Sequence, residues 1–221
     1  ELYLGVGGVV NRTDDLYPHS RGWYLWSQVA ANVPFEEDYT SRRYLQLNTD
    51  LRFYHPAFPP RTSVAYRLQT TLRNRDGGKF HIVDAGGETT IRGFGSGSLG
   101  LASQANNCML FTAEYRFPMF RTPSLRLPVI AKIYVADTEV YCRFDGAFFA
   151  DYAHLWHDLV HTLTAYENGM AFGTGFRLLV LPSNRAVCFD IVPAVVYRGV
   201  LISRWTDTRT WGYNLYVDLV F

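Results

Sequence analysis

Side chains able to do chemistry are few in this chain and stand in poor positions for it. His154, His157 and His161 fall close together, and the last two have the i,i+4 spacing of a metal pair. A zinc site needs that pair on one rigid helix with a further ligand, whereas His157–Asn168 falls between two alternating segments, as an exposed loop would. Gly95-Ser-Gly97-Ser-Leu-Gly100 spells a dinucleotide-binding string. That motif works only between a buried strand and a helix opening on its last glycine, and Ala-Ser-Gln-Ala-Asn-Asn follows here without helical period. Cys108, Cys142 and Cys188 lack metal or redox spacing, and pairing of Cys108 with Cys142 stays open at this stage. Neither a nucleophile elbow nor a locally placed catalytic triad occurs. No catalytic residue, cofactor or metal is therefore expected, and the chain is not expected to be an enzyme.

The informative charge is Arg92. It sits in Gly86-Gly87-Glu88-Thr89-Thr90-Ile91-Arg92-Gly93-Phe94, where glycines permit sharp turns before and after it. Such a segment can fold back and present Arg92 to an interior. A buried guanidinium needs carboxylates, and its planar fork can engage two at once. Glu114 and Asp151 lie on the polar faces of nearby segments. The alternative is a solvated Arg92 on a loose loop.

The elements that would position these groups have a period of two. Leu45, Leu47, Thr49, Leu51 and Phe53 alternate with Gln46, Asn48, Asp50 and Arg52. Val64, Tyr66, Leu68 and Leu72 alternate with Arg67, Gln69, Thr71 and Arg73, and Met109, Phe111, Ala113, Tyr115 and Phe117 with Thr112, Glu114 and Arg116. Met170, Phe172, Phe176, Leu178 and Val180 oppose Gly173, Gly175 and Arg177; a last strand places Trp211, Tyr213, Leu215, Val217, Leu219 and Phe221 on one face. On a helix these charges would scatter; on strands they share a side. Further strands at about 2–11, 22–33, 143–156 and 187–197 bring the set to roughly nine, near the length that crosses a bilayer at a tilt. Short turns (Asn11–Gly22, Pro56–Arg61, 181–184) alternate with longer connections (34–43, 76–106, 157–169, 198–210), as in barrels with short turns on the periplasmic side. Residues 121–142 break the pattern and suggest an extended strand or small insertion.

Composition leaves two all-β classes. Hydrophobic residues are 48% of the 221, aromatics 16% and charges 19%, and mean hydropathy is −0.07. A soluble sandwich or lipocalin has such values, and so does a transmembrane barrel, whose strands face lipid on one side and a polar lumen on the other. Strand length, aromatic content and the terminal Phe221 favour the barrel. A net charge of +1 gives no reason to expect nucleic acid. The chain starts at Glu1 without a signal segment, so a mature, processed or excised sequence is expected.

Taken in order, five elements resemble the bacterial surface-antigen superfamily, which includes BamA, TamA and the two-partner secretion transporters. They are Gly5-Val-Gly-Gly with Asp14-Asp15, Pro18 and Arg21-Gly22-Trp23-Tyr24; Gly86-Gly87 with Ile91-Arg92-Gly93-Phe94; Glu114-Tyr-Arg-Phe-Pro118; Phe149-Ala-Asp151-Tyr-Ala153; and Gly173-Thr-Gly175-Phe-Arg177, followed by the aromatic last strand. The likeness spans essentially the whole chain. It implies an all-β, transmembrane antiparallel barrel, of which residues 1–221 are the C-terminal nine or so of sixteen strands. It also implies a 76–106 loop folded into the lumen, with Arg92 against Glu114 and Asp151. Neither the preceding strands nor the periplasmic POTRA repeats are in this sequence; the same longer chain or another chain would supply the rest of the barrel. Ala153 stands where the family has glycine, which puts a close backbone approach there in doubt.

The function so implied is insertion or translocation of outer-membrane or secreted proteins through a lateral seam beside residues 211–221. The expected partners are the lipid bilayer, client polypeptides and accessory subunits, and the expected place is a bacterial outer membrane. A barrel anchor or secretion pore for a passenger domain of patatin-like type, and a plain porin, are the alternatives.

Overall fold

In a computed structural model of the chain, the described residues are 2–14, 21–36, 41–78, 82–87, 90–100, 104–119, 125–126, 141–157, 166–181, 185–203 and 213–218. They form β1 (Leu2–Asn11), β2 (Gly22–Val33), β3 (Tyr44–Ala57), β4 (Thr62–Arg73), β5 (Asn107–Pro118), β6 (Leu125–Arg126), β7 (Tyr141–Trp156), β8 (Tyr166–Leu181), β9 (Arg185–Tyr197), β10 (Val200–Ser203) and β11 (Tyr213–Asp218). All join one sheet in the order β1-β2-β3-β4-β5-β7-β8-β9, and every neighbouring pair is antiparallel. β10 and β11 both pair with β9, β10 along Ala194–Tyr197 and β11 along Ala186–Ile191. They therefore share one flank, and the sheet is nine strands wide. The two-residue β6 pairs with Tyr141 and Cys142.

The strands form because alternation gives each residue the environment it needs. On β3, Tyr44, Asp50 and Tyr54 are buried while Leu45, Leu47 and Phe53 are exposed. Across the sheet Tyr66, Phe111, Phe148, Phe172 and Phe176 are exposed, and Arg73, Glu114, Arg116, Asp145, Asp151, Arg177 and Asp190 are buried. A soluble sandwich has the opposite polarity, since water rewards charges outside and apolar groups inside. Apolar out and charged in is what a lipid-facing wall around a polar lumen requires, and it decides between the two classes left open by composition.

Outward-facing rings also fill gaps on that wall. A Cβ on Gly146 would lie 2.4 Å from Cζ of Phe117, so the ring occupies the glycine's place and stacks on Phe148 with centroids 5.3 Å apart. Glycine in a strand weakens it, and a neighbouring ring restores the lost packing.

One irregularity resets the alternation. Phe172 pairs with Ala194 but Thr174 with Ile191, so Val192 and Pro193 together oppose Gly173. Proline cannot donate to a ladder and is accommodated at such a bulge. As a result Asp190 and Val192 before it and Val195 after it are all buried, at 0%, 0% and 1% exposure.

Several connections differ from expectation. Residues 198–210 are not one long loop. Arg198 and Gly199, with φ of 48° and 79°, make a two-residue turn, and β10 returns at once along β9. That positive-φ pair is the geometry that matches hairpin twist. The last strand thus comes in two pieces; β11 holds Tyr213, Leu215 and Val217, while Trp211, Leu219 and Phe221 lie outside the described residues. β8 begins at Tyr166, which shortens the 157–169 connection. Of 121–142, only β6 and Tyr141–Cys142 are described, as paired strand. Cys108 is level with Leu155 on β7, thirteen positions from Cys142, or about 40 Å along the strand. They cannot form a disulfide; Cys108 is a free thiol, and Cys188 is buried on β9.

Replacing Gly146 by valine is expected to destabilise the barrel by displacing the Phe117 ring, and Phe117→Ala to relieve part of that loss. The double variant should recover about 1 kcal/mol relative to the sum of the singles, measured by urea titration of the folded, gel-shifted form. Strict additivity would mean that the ring does not use the glycine's space.

Candidate functional site

The segment between β4 and β5 folds into a narrow finger. Ala85 and Leu99 exchange backbone hydrogen bonds of 3.0 and 2.9 Å, and the Gly87 amide donates to Phe94 O at 3.0 Å. Gly86, at φ +133°, lies so close to the returning limb that a Cβ would stand 2.0 Å from Gly95 O. The Thr90 hydroxyl accepts from the Gly86 amide at 2.8 Å and donates to its carbonyl at 2.9 Å. At the tip, Gly93 has φ +80° and rests on Val192, whose Cγ1 would be 2.6 Å from an added Cβ. A side chain there is excluded both by conformation and by space.

Packing holds the finger against the inner wall. Ala85, Ile91, Leu99 and Ala105 join Cys108, Leu110, Phe149, Ala153, Leu155, Ala171, Val192 and Val195 in one buried cluster, with Phe94 packed on it. The close approach that Ala153 put in doubt is made by its cross-strand neighbour Gly169. A Cβ there would lie 2.8 Å from Cζ of Phe94 and 3.0 Å from Cδ1 of Leu99. The room needed by the finger has been supplied by the next strand.

Arg92 ends this finger at 3% exposure. Its Nε and Nη2 donate to the two Asp151 oxygens at 2.7 Å each, and its backbone amide donates to Oδ2 at 3.1 Å. Nη1 donates to Glu114 Oε2 at 3.1 Å and to Asp190 Oδ2 at 3.3 Å. The guanidinium carbon lies 3.5 Å from the Phe149 ring centroid. Phe149 and Asp151 share a face of β7, so one stacks on the guanidinium plane while the other binds its edge. Burial alone would lower the arginine's pKa; Asp151, Glu114 and Asp190 outweigh it and raise the value well above the ordinary one.

The carboxylates have further partners on the wall. Arg177 Nη2 donates to Glu114 at 3.2 Å, Arg116 Nε donates to Glu114 at 3.0 Å, and Arg177 Nη1 donates to Asp190 Oδ1. Three arginines and three acids thus share one network across β5, β7, β8 and β9. Gly173 and Gly175 leave slots for it: an added Cβ would be 2.4 Å from the Phe149 ring at the first and 1.9 Å from Asp190 Oδ1 at the second.

Arg92, Glu114 and Asp151 were singled out from the sequence; Asp190, Arg177, Arg116 and Phe149 were not given roles there. The i,i+2 pairs Glu114/Arg116 and Phe149/Asp151, the doubled glycine before Arg177 and a proline inside β9 were the available signals. A second anchor was also missed. Glu167, 1% exposed, accepts from the Gly100 amide at 2.9 Å and from the Tyr197 hydroxyl at 2.5 Å. The Gly95–Gly100 string thereby serves the finger's return limb, with Gly97 and Gly100 at φ +65° and +98°. On β7 His154 stacks with Tyr152 and meets the Trp156 ring at a tilt, with centroids 6.4 and 5.2 Å away. His157 Nδ1 is 2.9 Å from Gln104 O and 3.1 Å from the Asn106 side-chain amide nitrogen; His161 and the loop residues Glu88 and Thr89 lie outside the described residues.

Asp151→Ala is expected to cost about 3–5 kcal/mol, because it leaves a buried guanidinium without its bidentate partner. The double variant Arg92→Met/Asp151→Ala should cost less than Asp151→Ala alone, since Glu114 and Asp190 keep Arg116 and Arg177. A double variant less stable than the single, in the same urea titration, would show that Glu114 and Asp190 depend on Arg92 in spite of Arg116 and Arg177.

The model of the Omp85 superfamily domain matches residues 2–182, which include β1 to β8 and the whole finger. No curated protein matches the chain. The one-sheet antiparallel barrel wall, apolar outside and charged inside, agrees with that match, and the chain belongs to the Omp85 superfamily of outer-membrane barrels concerned with protein assembly and translocation.

Proposed function

We propose that this barrel inserts or exports other outer-membrane or surface proteins by templating their strands, without covalent chemistry. The observation that supports this best is the contrast between the two sides of β9. Toward the interior of the sheet, β9 is tied to β8, β7 and β5 by the Arg92 network as well as by its ladder. On its other flank, among the described residues, the final strand contributes the four residues of β10 and the six of β11, against sixteen in each of β7 and β8. Residues 204–212 separate those two pieces, while only Val192 and Pro193 separate their partners on β9.

Each ladder is held in proportion to its unbroken length, so a seam held in separate runs of four and six pairs opens one piece at a time, whereas the β7–β8 ladder runs through sixteen. Opening exposes a row of backbone donors and acceptors on a strand whose position the finger fixes. An unfolded client strand can pair there by β-augmentation. In this reading Arg92 keeps the template edge in register while its neighbour leaves, and the partners are client polypeptides together with any accessory subunits that deliver them.

Arg92→Ala is expected to impair assembly or transport of client proteins more than insertion of the barrel itself. Client maturation and cross-linking of clients to β9 would be compared with the variant's own heat-modifiable folded fraction. Equal losses in the two would leave the clasp a purely structural role and sink the proposal.

A further inference from the structure

We propose that the β3–β4 turn is a membrane-interface anchor, in which Phe58 inserts among phospholipid headgroups on the short-turn side of the barrel. The inference rests on membership in an outer-membrane barrel family and is independent of the seam. Phe58 is 87% exposed at the tip of that turn. An isolated exposed apolar residue needs no explanation, but this one is rigidly held and continuous with the lipid-facing wall. Pro59 and Pro60 follow it, and the Thr62 amide and hydroxyl both donate to Pro59 O, at 3.2 and 2.6 Å.

Direction comes from Tyr115. Its hydroxyl donates to Phe58 O at 2.9 Å, and it belongs to the outward row of β5, with its ring 6.1 Å from that of Phe117. The bond draws the turn toward the lipid side instead of across the lumen. Along the outward face of β3, Leu51 and Phe53 give way to the exposed His55 and then to Ala57. His55 is level with Val64 and Tyr115, so polar side chains enter the wall just before the turn. A ring placed one step beyond lies at headgroup depth, where amphipathic and aromatic groups collect in membrane proteins.

The test is Phe58→Cys in the full chain with Cys108, Cys142 and Cys188 replaced by alanine, labelled with nitrobenzoxadiazole. The protein is folded into phosphatidylethanolamine–phosphatidylglycerol vesicles. The proposal requires emission shifted to the blue of the unfolded labelled chain, and stronger quenching by lipids carrying a nitroxide near the headgroup than by lipids carrying it deep in the acyl chain. Water-like emission quenched by aqueous iodide would overturn it. So would a blue shift insensitive to both lipid quenchers, the result expected if a protein partner or a second copy covers the turn. Should Phe58→Cys fail to insert, Ala57→Cys at the end of β3 carries the same readout.

Discussion

A guanidinium moved from water to an interior loses several kcal/mol of solvation, and it stays charged there only if oppositely charged hydrogen-bond acceptors replace the water. Arg92 meets that condition with Asp151 on two of its nitrogens and Glu114 and Asp190 on the third. Satisfying one ion therefore draws β5, β7 and β9 to fixed positions around a single point. Arg116 and Arg177 complete the balance, because three acids around one arginine would otherwise repel one another. The inner wall has little freedom left once this network is made. Gly173 and Gly175 follow from it: neither the Phe149 ring nor the Asp190 carboxylate could reach the centre past a side chain at those positions.

The same wall answers to two solvents. Its outer rows lie against lipid, where Tyr66, Phe111, Phe148 and Phe176 need no cover, and its inner rows would face an aqueous lumen if nothing filled it. The finger fills part of that lumen with a second apolar core made from Ile91, Leu99 and the inward residues of four strands. On β3 and β4 the inward row includes Asp50, Arg52 and Arg67, which require no such core because they pair among themselves, with both arginines bound to Asp50. The molecule accordingly has a polar half without the finger and a packed half beneath it.

How much of this could be read from the sequence follows from the range of each signal. Strand positions were legible because period two is local: β1 and β2 fall where alternation and turn residues placed them. Arg92 with Glu114 and Asp151 was legible through motif order, since each sits within a short recognisable string. Asp190 was not, because its inward direction depends on a ladder that shifts at Val192 and Pro193, and register between strands leaves no mark within one strand. The two-residue turn at Arg198 and Gly199 escaped for a similar reason. No Asn-Gly or Asp-Gly advertises it, and an arginine in the left-handed region is rare enough to be passed over. Gly169 shows the limit most clearly: the absent glycine at 153 raised a doubt that only the cross-strand partner could resolve.

The finger is held by two interactions with different physical character, and that difference bears on what can move. Apolar packing of Ile91, Phe94 and Leu99 is non-directional and tolerates small shifts, while the Arg92 bonds require the fork and carboxylates to stay within a few tenths of an ångström. Packing therefore keeps the finger in the lumen, and the charges set where β9 stands relative to β5 and β7. Loosening the ionic part would leave the lumen filled but the edge of β9 free to drift, whereas the short ladders of β10 and β11 lie beyond the reach of either. The order of restraint therefore runs from the cross-tied wall to the fixed edge of β9 and then, among the described residues, to the two separate ladders of β10 and β11.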